Sequence, residues 1–190
     1  MIRRKDQRVA IFIDAANMYH SAKNIYHSRL NFKNLLEDGI DDRMVIRAIA
    51  YVITTKTGEE KPFLDALTNI GIEMKTKELQ EFSSGTKKGD WDVGITVDAI
   101  RIGMGVDVIV LVSGDGDYLS LVEYLQNHGK QVEVMAFHES ASSKLLEKAD
   151  GFIDLSADVD RYLIRPNGRS GSSRSDRVVI VRGSGEREEV

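Results

Sequence analysis

Two apolar runs of strand length, each followed by acidic residues, dominate the hydrophobic pattern of the chain. Val106–Asp117 reads VDVIVLVSGDGD, and Val9–Asn17 reads VAIFIDAAN. Runs of Val, Ile and Leu without polar alternation are typical of central strands in a parallel sheet, which are covered on both faces. In open α/β sheets the ligand crevice lies beyond the carboxyl ends of the strands. The pattern therefore predicts that Asp14, Asp115 and Asp117 lie close together, provided that the two strands are neighbours.

The remaining apolar positions predict helices that alternate with strands, and this order indicates parallel βαβ units with right-handed crossovers. The predicted helices are Met18–Ile25, a helical turn over Phe32–Leu36 ended by Gly39, a helix from Pro62 that stops at Gly71, Asp90–Met104, Tyr118–Asn127 and Ser143–Lys148. The further predicted strands are Met44–Ile53, Ile72–Leu79 near a sheet edge, Gln131–Phe137 and Gly151–Leu155. Glu81–Gly89 is predicted to be a polar loop without regular structure.

Helical spacing also predicts which apolar residues share one side of a helix. In the helix Asp90–Met104 we expect Val93, Val97 and Ile100 on one apolar side. In the helix that begins at Tyr118 we expect the buried side to be formed by Leu119, Val122 and Leu125.

Length and composition indicate one domain, residues 1–165, followed by a tail, residues 166–190. The chain has 190 residues, of which 42% are hydrophobic, and this suffices for one sizeable core. The segment Pro166–Arg177 reads PNGRSGSSRSDR and is predicted to be a flexible linker. The apolar patch Val178–Val181 in the tail is long enough for a docking strand but too short for a domain.

Composition also excludes several classes of site. The absence of cysteine excludes disulfides, zinc–thiolate sites and cysteine nucleophiles. The formal net charge is -4, so contact with nucleic acid would need a local basic patch. No apolar segment approaches the roughly 20 residues that span a bilayer, and the run behind the basic N-terminus is too short for a signal peptide. We expect a cytoplasmic protein without membrane contact, and the sequence leaves open whether it forms a homo-oligomer.

Candidate chemistry rests on six polar side chains near the two strand ends and on one helix: Asp14, Asn17, Asp92, Asp98, Asp115 and Asp117. Carboxylates that lie close together raise each other's pKa, so a bound cation is needed to keep all of them ionised. Oxygen ligands without Cys and with few His favour Mg²⁺ or Mn²⁺ over zinc. A metal held in this way orients a water, lowers its pKa and neutralises charge on a phosphoryl oxygen, which suits hydrolysis of a phosphodiester.

Each of these residues also has a structural interpretation. Asp14 and Asn17 are suited to cap the first helix, Asp92 is suited to a helix N-terminus, and Asp117 is suited to cap the helix at Tyr118. Asp98 follows Asp92 by six residues, or roughly 240° of rotation, so the two need not face one site.

Three segments carry a family resemblance: FIDAAN, KKGDWDVGITVDAI and VLVSGDGDYLSLVEYL. Together they resemble the NYN domain of the LabA-like group within the PIN-like nuclease superfamily, from about residue 9 to residue 155. The resemblance implies a Rossmann-like α/β/α sandwich with a central parallel sheet. It also implies a metal-dependent ribonuclease site, in which the matching positions are Asp14, Asn17, Asp92, Asp115 and Asp117, with Asp98 at an acidic position further along the helix.

RNA as a partner requires cations near the acidic residues, because phosphate neutralisation supplies most non-specific affinity. Lys87 and Lys88 precede Asp92 and are the stronger candidates, together with Arg101, whereas Lys75 and Lys77 fit a solvated edge strand better. Trp91 is suited to stacking on a base, although a single Trp at a helix start is more often a packing anchor. The alternative to a ribonuclease is a non-catalytic module that binds nucleic acid or protein on the same fold.

Overall fold

A six-stranded parallel sheet forms the centre of the structure. The computed structural model describes residues 3–55, 58, 60–81 and 87–164. Within these residues the strands are β1 (Arg8–Asp14), β2 (Arg29–Leu30), β3 (Met44–Thr54), β4 (Glu73–Glu78), β5 (Gln80–Glu81), β6 (Lys87–Lys88), β7 (Val108–Val112), β8 (Gln131–Ala136), β9 (Gly151–Asp154) and β10 (Leu163–Ile164). The strand order in the main sheet is β4-β3-β1-β7-β8-β9, and each neighbouring pair is parallel.

Helices cover both faces of this sheet, as the alternating pattern predicts. They are α1 (Ala15–Tyr26), α2 (Phe32–Ile40), α3 (Lys61–Asn69), α4 (Asp92–Gly103), α5 (Leu119–Asn127), α6 (Ser143–Lys148) and α7 (Val159–Tyr162). One apolar core contains buried side chains of α1, α2, α3 and α7, and a second core on the other face contains those of α4, α5 and α6. The architecture is an α/β/α sandwich, which confirms the expected fold class.

The adjacency of β1 and β7 confirms the condition on which the predicted acidic cluster depends. Ile13 in β1 is in register with Val112 in β7, so both strands end at the same edge of the sheet. Every one of the central residues Val108–Val112 is buried, in agreement with a strand that is covered on both faces. Asp14 and the residues after Val112 therefore emerge side by side.

The apolar side predicted for α4 faces solvent at two of its three positions. Val93 and Val97 are 74% and 54% exposed, while Ile95 and Ala99 are fully buried. The helix carries apolar residues on both sides, so spacing alone could not decide which side faces the sheet.

Smaller differences concern loops and helix ends. The predicted polar loop contains a short antiparallel pair, β5 with β6. Gly39 does not end helix α2, which continues to Ile40. Its lack of a side chain serves packing, because a Cβ atom there would lie 3.2 Å from Cδ1 of Ile11. In α5 the buried side is formed by Leu121, Val122 and Leu125, with Leu119 only half-buried.

Two further observations bear on domain limits and location. The predicted linker and the patch Val178–Val181 lie outside the described residues. In the described part of the chain, no helix combines the length and the apolar character that crossing a membrane would require.

Candidate metal centre

Acidic side chains from two segments meet at the carboxyl edge of the sheet. Asp115 and Asp117 lie just after β7, and Asp92 is the first residue of α4. Each offers one carboxylate oxygen, and these oxygens lie within 4.8 Å of one another. Asp117 is exposed and the other two are half-buried, so the group opens to solvent on one side. We call these three residues the carboxylate group.

Local hydrogen bonds fix the loop that carries Asp115. Its side-chain Oδ1 accepts a hydrogen bond from the backbone N–H of Asp117 at 3.0 Å. Its own N–H donates to Oγ of the fully buried Ser113 at 3.2 Å. The loop is also tightly packed, since a Cβ atom on Gly114 would lie 2.9 Å from Cα of Ala141. The sharp turn after β7 therefore holds the acidic side chains in place.

Asp14 lies beside this group and is 6% exposed. Its Oδ1 accepts a hydrogen bond from the backbone N–H of Asn17 at 3.0 Å, so Asp14 caps helix α1. Its Oδ2 accepts from the hydroxyl of Tyr118 at 3.3 Å. That hydroxyl also lies 3.2 Å from Oδ1 of Asp92. Because a phenol has one hydrogen to donate, the hydroxyl donates to one of the two carboxylates at a time. Both carboxylates are nevertheless held close to this one hydroxyl group.

Burial and mutual repulsion shift the ionisation of these groups. Burial raises the pKa of Asp14, and the negative charges of Asp92 and Asp115 raise it further, while the hydrogen bonds from Asn17 and Tyr118 oppose the rise. Burial likewise raises the pKa of Asp92, with added repulsion from the neighbouring aspartates. Burial also raises the pKa of Tyr118, and the nearby carboxylates add to this shift, so the phenol remains a proton donor at neutral pH. Bringing a cation to this edge would relieve the repulsion.

Asn17 connects helix α1 to the loop after β7. Its Oδ1 accepts a hydrogen bond from the backbone N–H of Gly114 at 3.1 Å. This contact holds the end of β1 and the acidic loop at a fixed spacing. Asn17 therefore helps to position the loop that carries Asp115.

The structure does not bring Asp98 to the carboxylate group. Its Oδ2 accepts from the hydroxyl of Tyr51 at 2.8 Å and from Nζ of Lys75, and its Oδ1 accepts from Arg101 at 3.0 Å. Burial raises the pKa of Asp98, but the bonds from Lys75 and Tyr51 and the nearby positive charges outweigh this effect and lower it overall. Both oxygens are occupied by partners on α4, β3 and β4, so we leave Asp98 out of the proposed metal ligands.

Among the predicted RNA contacts, Trp91 is held as part of the packing. Its indole N–H donates to the backbone oxygen of Val52 at 3.1 Å, and its ring meets Tyr51 edge-on with centroids 5.3 Å apart. A Cβ atom on Gly94 would lie 2.6 Å from the indole ring. The packing interpretation therefore fits Trp91 better than a role in base stacking.

Of the three cationic residues predicted to contact RNA, the structure describes the side chain of one. The side chain of Arg101 is 69% exposed despite its ion pair with Asp98. Lys87 and Lys88 form strand β6, and their side chains lie outside the described part of the structure.

Sequence reasoning missed Tyr118 and Ser113. Both lie next to predicted site residues, in the segment SGDGDY. Their position beside two aspartates was a usable signal. Nothing in the sequence showed that the tyrosine is 1% exposed and turned towards Asp14 and Asp92.

Most of the chain is similar to known proteins. A family model of the NYN domain matches residues 8–156. The low amplitude and bright protein LabA of Synechococcus elongatus is 28% identical over 159 residues, which cover 80% of this chain and 85% of LabA. The crystal structure of a Vibrio parahaemolyticus protein of unknown function is similar with a TM-score of 0.77 and 33% identity, covering 86% of this chain and 100% of that one. The family match runs from β1 to the end of β9 and includes every member of the carboxylate group, and the chain therefore belongs to the NYN domain family.

Proposed function

We propose that the protein is a metal-dependent ribonuclease that hydrolyses phosphodiester bonds at the carboxylate group. The observation that carries the proposal is the convergence of three carboxylates within 4.8 Å at the ligand edge of an α/β sheet. Membership of the NYN domain family supports it, because this domain is generally found in nucleases with a PIN-like fold.

The donor set fits a divalent cation of the hard class. Asp92, Asp115 and Asp117 supply oxygen atoms only, and Mg²⁺ or Mn²⁺ is the class of ion that prefers such ligands. When bound, the ion would supply charge neutralisation on a phosphoryl oxygen and a water of lowered pKa. Asp14 is a fourth carboxylate near the three proposed ligands, since its charge interacts with those of Asp92 and Asp115. It therefore adds to the negative potential at this edge.

Other residues of the chain hold the carboxylates at the edge of the sheet in a fixed arrangement. Tyr118 ties Asp14 to Asp92, and Asn17 ties helix α1 to the acidic loop. Preorganised carboxylates of this kind avoid the cost of reorganisation when a phosphodiester arrives. Tyr118 is therefore a positioning residue in this proposal.

In this proposal Arg101 is the residue of α4 that contacts RNA. Arg101 lies nine residues after Asp92, about 13.5 Å along the helix axis and about half a turn around it, so it would contact the RNA a few nucleotides away from the carboxylate group. Its guanidinium is well exposed and is suited to a phosphate away from the cleaved bond. Lys87 and Lys88 remain proposed contacts on sequence grounds, since they precede α4 in the chain.

The deciding experiment is incubation of purified protein with end-labelled single-stranded RNA and Mn²⁺ or Mg²⁺, with and without a chelator. The proposal predicts cleavage that the chelator stops. The variant Asp115→Asn, purified in the same way, should be inactive and so controls for contaminating nuclease. Binding of RNA without cleavage under all metal conditions would favour the non-catalytic alternative.

A further inference from the structure

The first residues of β3 form an exposed apolar edge of the main sheet. Met44, Val45 and Ile46 are 55%, 44% and 48% exposed. On one side this part of β3 pairs with β1, whereas on the other side β4 begins to pair only at Ile49. Among the described residues, no strand of the main sheet therefore lies beside Met44–Ala48 on the side of β4. We call the stretch Met44–Ala48 the free edge.

The free edge carries little charge, which is unusual for an exposed edge strand. Charged side chains normally protect such edges from pairing with other strands. Strand β4, at the outer edge of the same sheet, follows this rule, since its sequence EMKTKE contains four charged residues. The free edge contains one charged residue, Arg47, and an ion pair with Glu73 neutralises it. A run of three exposed apolar residues on an unprotected edge indicates a surface that binds another segment.

The chain contains a segment with matching properties. Val178–Val181 reads VVIV and lies outside the described residues. All four residues are β-branched, and such residues favour an extended strand. Four residues also match the length of the free edge. A strand that is added to a sheet edge forms main-chain hydrogen bonds with it and packs its side chains against those of the neighbouring strand.

The chain is long enough to bring this segment to the free edge. Ile164, the last described residue, pairs with Arg29 in the small sheet formed by β10 and β2. Met44 follows Arg29 at the far end of α2, whose nine residues span about 14 Å. With the short connections at both ends of α2, the separation of Ile164 and Met44 is less than about 40 Å. The 13 residues from 165 to 177 extend to about 43 Å, so they can span it.

The charges around the two segments are compatible with this contact. Arg177 and Arg182 flank Val178–Val181 on its two sides. Asp42 lies two residues before the free edge, and its side chain is 78% exposed. Whichever direction the segment runs, one of the two arginines comes near Asp42. The existing ion pair of Asp42 with Lys5 is itself exposed and contributes little to stability.

A segment of the same chain has an advantage over a second copy of the protein. A link of this length gives it an effective concentration in the millimolar range. A second copy reaches that range only at a millimolar concentration of protein. The free edge of β3 is therefore occupied first by the segment on its own chain.

Helix α4 is the other exposed apolar surface that Val178–Val181 could cover, since Val93 and Val97 are 74% and 54% exposed. The backbone N–H and C=O groups within a helix are already hydrogen-bonded to one another. An extended segment on α4 would leave its own backbone groups without protein partners. The free edge supplies such partners, and it therefore fits a β-branched segment better.

We propose that Val178–Val181 adds to the main sheet as a strand beside the free edge of β3. The added strand covers the exposed side chains of Met44, Val45 and Ile46. Docking of this segment is independent of metal binding and of cleavage at the carboxylate group.

Nuclear magnetic resonance of the full chain, labelled with ¹⁵N and ¹³C, tests the contact directly. The amide hydrogens of Val178–Val181 should exchange at least about 10-fold more slowly than those of an unfolded peptide. Nuclear Overhauser effects should join this segment to Met44–Ala48, equally from about 0.05 mM to about 1 mM protein. Exchange at the rate of an unfolded peptide overturns the proposal. Protection that appears only as the protein concentration rises assigns the free edge to a second copy and also overturns it.

Variants of the full chain separate the two apolar surfaces. Val45→Asp places a charge in the contact and should return the amide exchange of Val178–Val181 to the rate of an unfolded peptide. Val97→Asp is the matched control, since it makes the same change at an exposed position of α4, and it should leave the exchange unchanged. Release of the segment by Val97→Asp but not by Val45→Asp would assign it to α4 and overturn the proposal.

A proline variant makes the test independent of whether Val45→Asp folds. Ile180→Pro removes a backbone N–H from the added strand and lies outside both apolar cores of the sandwich. The remaining amides of Val178–Val181 should lose their protection, and the amides of Met44–Ala48 that bond to the added strand should exchange faster. Ser172→Pro, between Ile164 and the segment, is the control and should change neither. Unchanged exchange in Ile180→Pro would contradict pairing as a strand.

Discussion

Replacing Asp115 by Asn should stabilise the metal-free protein and abolish its response to divalent metal. At 4.8 Å, the upper limit of the distances between the oxygens of the carboxylate group, two unit charges repel by about 0.9 kcal/mol in bulk water and by about 3.5 kcal/mol at an effective dielectric constant of about 20. Asp115 takes part in two such pairs, with Asp92 and with Asp117. Since the group is partly open to solvent, the lower value applies, and removing both pairs is expected to gain about 1–2 kcal/mol.

The substitution keeps the local structure. The Oδ1 atom of Asn can still accept the 3.0 Å hydrogen bond from the N–H of Asp117. A gain of about 1–2 kcal/mol corresponds to a melting temperature higher by about 2–8 °C for a chain of this size. In the wild type, Mn²⁺ at a hundred times its dissociation constant should add about 2.7 kcal/mol to the free energy of unfolding. The Asn variant should show no such rise.

Differential scanning calorimetry with EDTA or with Mn²⁺ measures both effects, and Asp98→Asn is the matched control. That substitution weakens an ion pair whose partners, Lys75 and Arg101, are 36% and 69% exposed. It should therefore lower stability, by about 1–3 kcal/mol, while the rise with Mn²⁺ survives. A metal-free Asp115→Asn protein that melts below the wild type and still responds to Mn²⁺ would refute the reasoning and make Asp115 a structural residue.

Three further outcomes are expected. Burial raises the pKa of Asp14 and of Asp92 in the folded state, so the contribution of these two carboxyl groups to the free energy of unfolding should fall as pH rises through the acid range. Urea titrations of the metal-free protein between about pH 4 and pH 7 check this, because the free energy of unfolding of Asp92→Asn relative to that of the wild type should increase with pH. Gly114→Ala would place a Cβ atom 2.9 Å from Cα of Ala141 and should cost about 1–3 kcal/mol in chemical denaturation; an unchanged denaturation midpoint would show that the loop is free to move. Tyr118→Phe removes the hydroxyl between two carboxylates and should cost about 1–2 kcal/mol and slow Mn²⁺-dependent cleavage; full cleavage activity in this variant would exclude a positioning role.

The residues at the strand ends are the part of the site that the sequence predicted. Apolar runs that stop at aspartates placed Asp14, Asp115 and Asp117 at the carboxyl edge, because strand burial and strand termination are local properties of the chain. The segments FIDAAN and VLVSGDGDYLSLVEYL supported the fold class through resemblance. The adjacency of β1 and β7 was a condition that sequence alone could not establish.

Residue orientation was decided by tertiary structure alone. Helical spacing in α4 was compatible with either face inwards, and contact with the sheet selected Ile95 and Ala99 over Val93 and Val97. A helix with apolar residues on both sides has no local preference, so the shape of the neighbouring sheet makes the choice.

The sequence by itself determined the order of the six strands of the main sheet and of helices α1 to α6, the absence of cysteine chemistry and the acids at the strand ends, because these depend on residue type and on periods of two to four residues. Only the tertiary structure separated Asp98 from the carboxylate group and brought Tyr118 between Asp14 and Asp92. These outcomes depend on distances between residues far apart in the chain, such as the 104 positions that separate Asp14 from Tyr118. Such distances are set when whole helices pack on the sheet, and no local pattern encodes them.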